Sequence, residues 1–448
     1  MSGAWLSESS KVDALVDTRG TTRQHPAAID RAYVAPIAFK QVDPCSANYK
    51  NDTPIGYLQS SVIYRKCYNL GGGQFAATAR YYMINGTGNT TVPTAAEVYA
   101  LPFQVNQTTG AITVGTGAAG LSLVYNGTTI PINTNIDTGT MNQLGNYIMH
   151  QSTSPAAGSN SFTAFRINPA TNSVAATATT ITGGPQAQPQ NNFEAPGSYN
   201  AATGTAYHYT QTYDTATGLF RRVSYSFNGT SVALVQNEAT PTGYQAYSNI
   251  WPVKHQFGAA NNSPTTGAGV RVWRDSNGCP NFDLLNLAGG YDATGNFQTA
   301  GYDAGAITWD GFGLELSNGR QIFYTINGQA FVRIGNAISN VTELADWPVK
   351  WRSWSFNDIW PVGVDTYITQ TTSMYELVKF SINPTTYKIT ILDVVDTNKY
   401  LPNTNFTWNL NNLHISTTGS SNQFLVYAGS NYDNTVRQNV WVLPNPFA

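Results

Sequence analysis

The chain contains few charged residues for its length. Asp, Glu, Lys and Arg make up 11% of its 448 residues, against about a quarter in an average soluble protein. The net charge is −2, so we expect no basic surface of the kind that binds nucleic acid. Aromatic residues make up 12% and hydrophobic residues 41%, which is enough for a core and excludes a disordered chain.

Cysteine and long apolar runs are also scarce. The three cysteines, Cys45, Cys67 and Cys279, are too few for a disulfide framework. A bridge between Cys45 and Cys67 is one alternative, and buried free thiols are the one we favour. No segment approaches the roughly 18 apolar residues of a transmembrane helix, and residues 1–16 lack the apolar core of a secretory signal. We therefore expect no insertion into a membrane.

Common catalytic and cofactor motifs are missing from the sequence. The five histidines include no His-x-His or i, i+4 pair that would bind a metal. Gly71-Gly72-Gly73 is not followed by the Lys-Ser/Thr of a phosphate-binding loop, and there is no Gly-x-Ser-x-Gly nucleophile elbow. Long amphipathic helical periodicity is missing too, which argues against an α/β enzyme. We expect no metal, no cofactor and no enzymatic activity.

A short hairpin motif recurs along most of the chain. The motif has the spacing Phe-x-apolar-Asn-x-x-Thr-x-x-apolar and occurs at residues 103–112, 165–174 and 380–389. A degraded copy occurs at residues 213–220. Asn and Asp favour turns because their side chains bond the nearby backbone, and Pro after Asn presets φ for the turn. Each copy therefore predicts a strand, a tight turn and a second strand.

Two further motifs support a repeated β-structure. Asn-Gly occurs between β-prone residues at 126–127, 228–229 and 327–328, and Asn-Gly is the dipeptide that a two-residue type I′ hairpin prefers. Trp-Pro-Val occurs at 251–253, 347–349 and 360–362. The recurrence of such units predicts a repeat architecture.

The predicted strands fall into clusters of similar size. These clusters span residues 61–115, 145–183, 205–236, 268–300, 305–337, 364–395 and 411–443. Repetition of a three- or four-stranded unit favours a β-propeller, in which each sheet packs on the next around an axis. The sequence thus predicts an all-β protein, with a propeller of six or seven blades over residues 59–448. Residues 1–58 lack the hairpin pattern, and we expect them to form an extended N-terminal arm.

Aromatic residues supply the candidate binding site. Four tryptophans and an arginine lie close together in sequence: Trp347, Trp351, Arg352, Trp354 and Trp360. An exposed cluster of this kind would stack on sugar rings or anchor a protein interface. Packing between blades or subunits is the alternative that we favour.

Three histidines hold similar positions in their clusters. His150, His208 and His414 each lie early in a cluster, where a propeller strand would face the central channel. We consider them candidates to face this channel, and a shared packing position is the alternative that we favour.

Paired carboxylates are the remaining route to catalysis, because some propellers hydrolyse glycosides with Asp and Glu near the channel. The candidates are Asp275, Asp310, Glu315, Asp358 and Asp365. Two carboxyl groups would have to lie within about 5.5 Å for a retaining reaction, or about 6.5–9.5 Å for an inverting one. We expect these residues to act in turns and caps instead.

Three features together resemble the virion structural and tail-appendage proteins of tailed bacteriophages. They are the Met-Ser-Gly start, the charge-poor composition rich in Asn, Thr, Gly and Tyr, and the Asn-Pro-x-Thr hairpins at 165–174 and 380–389. The resemblance implies a protein that is made in the host cytoplasm and assembled into a virion. It also implies attachment to other virion proteins through the N-terminal arm, and homo-oligomerisation.

Three functions follow as hypotheses. The first is a non-enzymatic virion structural protein of a tail, fibre or capsid decoration, which also contacts a glycan or receptor on the host surface. The second is a glycan-binding lectin, located on a virion or outside the cell. The third, which we favour least, is a propeller enzyme that degrades glycans.

Overall fold

The protein is all-β in the part of the chain that the structure describes. The structure is a computed structural model, and it describes residues 38–41, 65–84, 93–119, 123–124, 140–154, 159–182, 187–188, 196–214, 219–239, 248–255, 257, 263–275, 277–297, 299, 311–325, 330–340, 359–370, 376–396, 414–417, 424–431, 437–445 and 447. Every regular element in these ranges is a strand. Across the same ranges, no helix has the length and apolarity to cross a bilayer.

The strands form antiparallel meanders that follow one another along the chain. The first described strand is β1 (Ala38–Gln41). The 65–124 sheet comes next and contains β2 (Arg65–Gly71), β3 (Gln74–Ile84), β4 (Pro93–Val105), β5 (Ile112–Val114), β6 (Ala118–Ala119) and β7 (Leu123–Val124). The 140–182 sheet contains β8 (Thr140–Leu144), β9 (Tyr147–Ser154), β10 (Ser159–Asn168) and β11 (Ser173–Thr182). The 187–239 sheet contains β12 (Ala187–Gln188), β13 (Gly197–Asn200), β14 (Thr205–Asp214), β15 (Leu219–Phe227) and β16 (Val232–Ala239).

The next sheet has eight strands and consists of two meanders. The 248–296 half contains β17 (Ser248–Lys254), β18 (Gly269–Arg274), β19 (Pro280–Leu285) and β20 (Tyr291–Asn296). The 311–340 half contains β21 (Gly311–Glu315), β22 (Gln321–Thr325), β23 (Ala330–Ile334) and β24 (Ala337–Asn340). A short parallel pairing between β17 and β21, at Val253↔Gly313 and Lys254↔Leu314, joins the halves.

Two sheets complete the described structure. The 360–396 sheet contains β25 (Trp360–Gly363), β26 (Thr366–Gln370), β27 (Glu376–Ile382) and β28 (Ile389–Asp396). The terminal sheet contains β29 (His414–Thr417), β30 (Phe424–Asn431) and β31 (Arg437–Pro444), and its fourth strand is β1. Ala38 pairs with Val442 and Gln41 with Asn439, so this sheet is built from both ends of the described chain.

Sheets that follow one another in the chain pack on each other. Shared apolar clusters join the 65–124 sheet to the 140–182 sheet through Tyr68 and Phe165, and the 140–182 sheet to the 187–239 sheet through Tyr147 and Phe227. The 311–340 half shares a core with the 360–396 sheet. Burial of these apolar faces supplies the main driving force for folding.

The last sheet contacts both of its neighbours. Lys379 Nζ of the 360–396 sheet donates a 3.0 Å hydrogen bond to the Phe447 carbonyl, which follows β31. Strand β29 contacts both β25 and β2. The sheet that follows last in the chain therefore packs beside the sheet that comes first.

The turns of the three full copies of the hairpin motif are confirmed, and residues 215–218 of the degraded copy lie outside the described residues. The Asn106 and Asn383 side-chain oxygens each accept two backbone N–H bonds from the next turn residues, all at 2.9 Å. Asn168 accepts one such bond. Asn200, which the sequence analysis did not single out, accepts two in the β13–β14 turn. The side chain of Asn thus closes each turn, as its chemistry predicts.

The type I′ prediction for Asn228-Gly229 is wrong. The β15–β16 connection runs from Asn228 to Ser231, where the Asn228 N–H donates to the Ser231 carbonyl at 3.3 Å. Only Gly229 has a positive φ, of 95°, whereas type I′ needs two such residues. The Asn228 side chain instead accepts bonds from the Thr230 and Ser231 N–H groups. The other two Asn-Gly pairs lie outside the described residues.

Candidate functional site

The predicted aromatic cluster lies mostly outside the described residues. Trp347, Trp351, Arg352 and Trp354 fall in ranges that the structure does not describe, and Trp360 begins β25. Trp360 is half-buried, and its ring meets the His255 ring edge-on with centroids 5.4 Å apart. Trp251 and Trp360 of the Trp-Pro-Val motif hold equivalent places, each in the first strand of its meander.

The three predicted histidines lie on three different sheets. His150 is in β9, His208 in β14 and His414 in β29. Of the three, His208 is the one whose surroundings are described, and it is fully buried. Burial lowers the pKa of His208 to about 3, because an apolar interior disfavours the charged imidazolium. His208 is therefore neutral at physiological pH.

The described candidate carboxylates form hydrogen bonds that shape turns or join sheets. Asp275 closes the β18–β19 turn by accepting the Asn277 and Cys279 N–H groups at 2.9 Å. Asp365 accepts the Ser317 N–H at 2.7 Å across the junction between two meanders. Asp310 and Asp358 lie outside the described residues.

Glu315 is the most deeply buried of these candidates. Its side chain, fully buried at the end of β21, accepts the N–H groups of Thr265 and Thr266 at 2.9 and 2.8 Å and the Thr265 hydroxyl at 2.8 Å. These bonds tie the segment before β18 to the second half of the eight-stranded sheet. The oxygens of Glu315 thus accept hydrogen bonds from groups of the protein itself.

A buried polar cluster joins the 187–239 sheet to the 248–296 half. Arg222 of β15 donates from Nε and Nη2 to the two oxygens of Asp283 of β19, both at 2.9 Å. This is the paired geometry that makes an Arg–carboxylate contact strong and directional. The Thr294 hydroxyl donates to Asp283 Oδ1 at 2.8 Å. Asp283 is fully buried, so its charge depends on these partners.

A second guanidinium approaches the same carboxylate. Arg271 Nη1 of β18 lies 3.3 Å from Asp283 Oδ2, and its side chain is 2% exposed. Arg222 Nη1 also lies 3.6 Å from Glu238 Oε2, whose side chain is about half exposed. Glu238 thus faces Arg222 from the solvent side, and water screens that contact.

A small cavity adjoins this cluster. Its volume is about 10 Å³, and polar and apolar side chains of both sheets line it: Tyr209, Thr210, Arg222, Val223, Gln236, Ile250, Arg271, Asp283, Leu285 and Tyr291. The guanidinium of Arg222 lies over the Tyr291 ring, 4.2 Å from its centroid. A space of this size holds about one water-sized particle.

Hydrogen bonds around Tyr209 and Arg333 extend the polar junction. The Tyr209 hydroxyl bonds to the Asn286 and Gly290 carbonyls and accepts the Gly289 N–H, which fixes the β19–β20 turn. Arg333 Nη2 donates to Asp292 Oδ2 at 2.6 Å, and Nη1 donates to the Leu285 carbonyl at 2.8 Å. A Cβ at residue 267 would lie 2.1 Å from Arg333 Nη1, so glycine at this position lets the guanidinium reach its partners.

The sequence did not reveal this cluster, because its members lie far apart in the chain and share no motif. Arg222 and Asp283 are 61 residues apart. One sequence feature could have indicated the cluster: charged residues are rare in this chain, yet some of them, such as Arg271 and Asp283, lie inside strands. No group of three or more His, Cys, Asp or Glu in the described ranges is placed to hold a metal ion. Cys279 is a free, partly exposed thiol.

Comparison with known proteins finds structural neighbours but does not assign the chain to a family. No protein-family model and no curated protein matches the chain in sequence. Solved structures that match include a protein of Bacteroides fragilis provisionally assigned as a 6-phosphogluconolactonase, with 9% identity over 82% of this chain and 94% of that one and a TM-score of 0.41.

Two further matches cover nearly the whole of both chains. The Dos1 propeller has 9% identity over 93% of this chain and 96% of that one, with a TM-score of 0.38. The GH93 α-L-arabinofuranosidase of Fusarium graminearum with arabinobiose has 8% identity over 92% and 98%, with a TM-score of 0.37. The structural neighbours are thus β-propellers, and they include enzymes as well as proteins that are not enzymes.

Proposed function

We propose that the chain forms a seven-bladed β-propeller with an extended N-terminal arm before β1. Within the described ranges, five sheets of four or more strands and the two halves of the eight-stranded sheet supply seven meanders. Packing of each meander on the next, and of the terminal sheet on the first, supports a closed ring. Pairing of β1 with β31 would close that ring by joining the two ends in one blade.

We propose further that this propeller is a non-enzymatic structural protein of a bacteriophage virion, in a tail, fibre or capsid decoration. The non-enzymatic part rests on the hydrogen bonds of three candidate carboxylates. Asp275 closes its own turn, and Glu315 and Asp365 accept bonds from segments distant in the chain. A glycosidase needs two carboxyl groups directed at a sugar. These carboxylates serve the framework instead, which suits a rigid assembly component.

The proposed partners are other virion proteins, reached through the N-terminal arm, and further copies of the chain. A glycan or receptor on the host surface would be contacted by the exposed β-surface. This part of the proposal draws on the charge-poor composition and the repeated Asn-Pro hairpins.

Particle association tests the proposal. Virions from the source of the gene are banded on a density gradient, and the chain is quantified by mass spectrometry in each fraction. We expect the chain to band with the particles, and a chain shortened by residues 1–34 to fold and remain unincorporated. A full-length chain found only in the soluble fractions would contradict the proposal.

A glycan assay separates the alternatives. The purified chain and its Glu315→Gln variant are incubated with surface polysaccharides, and both binding and released sugars are measured. We expect no release by either protein. Release that Glu315→Gln abolishes would support a glycan-degrading enzyme, and binding without particle association would support a lectin.

A further inference from the structure

Three Asn-Gly pairs lie in turns that the structure describes. They are residues 228–229 between β15 and β16, 277–278 between β18 and β19, and 318–319 between β21 and β22. All three asparagines are exposed. The backbone nitrogen of a following glycine is able to attack the side-chain amide of Asn, because glycine has no Cβ to hinder the approach. The fold decides how readily each pair reacts.

The attacking nitrogen is held differently in the three turns. The Gly278 N–H donates to the Asp275 carbonyl at 3.0 Å, and the Gly319 N–H donates to the Leu316 carbonyl at 2.9 Å. Among the described residues, the Gly229 N–H has no hydrogen-bond partner. A bonded N–H must lose its hydrogen bond before the nitrogen attacks, and that loss is unfavourable. The Gly229 nitrogen is therefore the most available nucleophile of the three.

The amide oxygen of Asn228 is surrounded by donors. Asn228 Oδ1 accepts the N–H groups of Thr230 and Ser231 at 3.1 and 2.9 Å, and the hydroxyls of the same two residues at 2.9 and 3.2 Å. Negative charge develops on this oxygen when a nitrogen adds to Cγ. Donors that already point at such an oxygen stabilise the charge, as in the oxyanion hole of an enzyme.

The amide of Asn318 has a different environment. Within the described part of the chain, Asn318 Oδ1 accepts one hydrogen bond, from the Arg320 N–H at 3.1 Å. Its Nδ2, the group that would leave as ammonia, donates to the Pro384 carbonyl at 2.7 Å. Departure of this group would break a contact between the 311–340 half and the 360–396 sheet. Asn318 thus has less support for the developing charge and a leaving group that is held.

We propose that Asn228 is a self-modification site, at which the folded chain deamidates faster than at Asn277 or Asn318 because the donors around its amide oxygen activate it. The Gly229 nitrogen loses its proton to solvent and forms a bond to Asn228 Cγ. The bond from Cγ to Nδ2 then breaks, and Nδ2 leaves as ammonia. Water opens the resulting succinimide and gives aspartate or isoaspartate. No oxidant or reductant takes part.

The modified turn lies against a neighbouring sheet. A Cβ at residue 229 would lie 3.0 Å from the Tyr147 hydroxyl oxygen, and the Tyr147 ring meets the Phe227 ring edge-on with centroids 5.0 Å apart. Isoaspartate lengthens the main chain by a carbon atom, whereas aspartate leaves it unchanged. We expect the isoaspartate form to have the lower melting temperature, because the longer turn disturbs the packing against Tyr147.

Peptide mapping by mass spectrometry tests the proposal. The full chain is incubated at mildly alkaline pH in water enriched in oxygen-18, and label that enters each Asn-Gly peptide is followed over time. Residue 228 is expected to react about fivefold faster or more than residues 277 and 318, because one hydrogen bond holds each of the other two nitrogens. Equal rates, or a faster reaction at 277 or 318, would overturn the proposal.

Two controls separate the fold from the local sequence. In guanidinium chloride the difference between the three sites should disappear, and a difference that persists in the unfolded chain would contradict a structural cause. The double substitution Thr230→Val and Ser231→Ala removes two hydroxyl donors and should slow the reaction at residue 228, whereas Thr390→Val, at an exposed strand position, should not. Melting curves show that the variants fold. Equal rates at residue 228 in both variants would contradict the proposed activation.

Discussion

Asp283 is a buried carboxylate at the junction between the 187–239 sheet and the 248–296 half. It is fully buried and accepts bonds from two arginines and a threonine. A buried ion pair adds little when compared with a well-packed apolar pair, but removal of one partner leaves the other charge unpaired. The contribution of this ion pair to stability is therefore measured best by removing one of its partners.

Asp283→Asn should destabilise the protein strongly. Loss of the carboxylate leaves Arg222 and Arg271 buried without their shared counterion, which costs about 3–5 kcal/mol in the free energy of unfolding. Urea denaturation measures this change. Glu238→Gln, at the exposed end of the cluster, is the control and should cost less than about 1 kcal/mol. Equal effects of the two substitutions would show that the buried pair does not hold the junction.

His208 should make stability depend on acid pH. Its pKa falls from 6.5 to about 3 on folding. Between pH 6.5 and pH 3, His208 is therefore mostly protonated in the unfolded chain and mostly neutral in the folded chain. Falling pH then favours unfolding, by up to about 1.4 kcal/mol per pH unit. Well above pH 6.5 the residue is neutral in both states and contributes no pH dependence.

The measurement is the free energy of unfolding at pH 7, 5.5 and 4.5. We expect stability to decline less steeply with acid in His208→Gln than in the unchanged protein. Parallel pH profiles for the two proteins would refute the assignment of this pH dependence to His208.

At the scale of elements, the Asn turns are the clearest link between sequence and structure. In the β27–β28 turn, Asn383 Oδ1 accepts the N–H groups of Thr385 and Thr386, and Tyr387 adopts a positive φ of 59°. The equivalent positions of two other turns are Gly110 and Asn172, with φ of 72° and 48°. The motif thus fixes both an Asn cap and a left-handed residue.

Asn383→Ala should destabilise by about 0.5–2 kcal/mol, by analogy with the loss of a helix N-cap of the same chemistry. Asn383→Asp keeps the acceptor oxygen and should lose much less. Thermal unfolding of both variants measures the difference. If alanine and aspartate gave the same melting temperature, the side-chain cap would not stabilise the turn.

Local sequence patterns predicted the Asn turns well, but they did not predict strand pairing between residues that are far apart in the chain. The turns at Asn106, Asn168 and Asn383 were predicted because each turn is closed by its own side chain. The strand Ala38–Gln41 was not predicted, because four residues without a motif pair with a strand at the other end of the chain. The sequence also suggested the wrong geometry for Asn228-Gly229, because the Asn228 side chain bonds the turn backbone instead.

The candidate site was predicted less well than the fold. Its charged residues come from several strands on two sheets, and only tertiary packing brings Arg222, Arg271 and Asp283 together. A charged residue in a strand is also the usual sign of an exposed face. Here the strand that carries Arg271 is buried almost throughout, and its charge lies beside Asp283 of the adjacent strand.

At the scale of the whole molecule, the pairing of β1 with β31 is the feature with the widest consequence. Four residues near the N-terminus complete a sheet whose other strands come from residues 414–444. Contacts of β29 with β2 and β25 connect that sheet to the 65–124 sheet and to the 360–396 sheet. If the sheets form the closed ring that we propose, loss of β1 would weaken its closure.

Two truncations test this closure. Removal of residues 1–58 deletes β1 and should lower the melting temperature clearly, while removal of residues 1–34 keeps β1 and should change it little. Differential scanning calorimetry compares the two with the full chain. Identical melting temperatures for both truncations would contradict the role of β1 in closing the structure.

We propose that the chain forms a closed β-propeller and serves as a building block of a virion. A cryo-EM reconstruction of the native particle tests that claim most directly. The account predicts symmetry-related rings of seven blades, each with its N-terminal arm against a neighbouring virion protein. Particles that contain no such density, with the chain present instead as a free monomer, would contradict it.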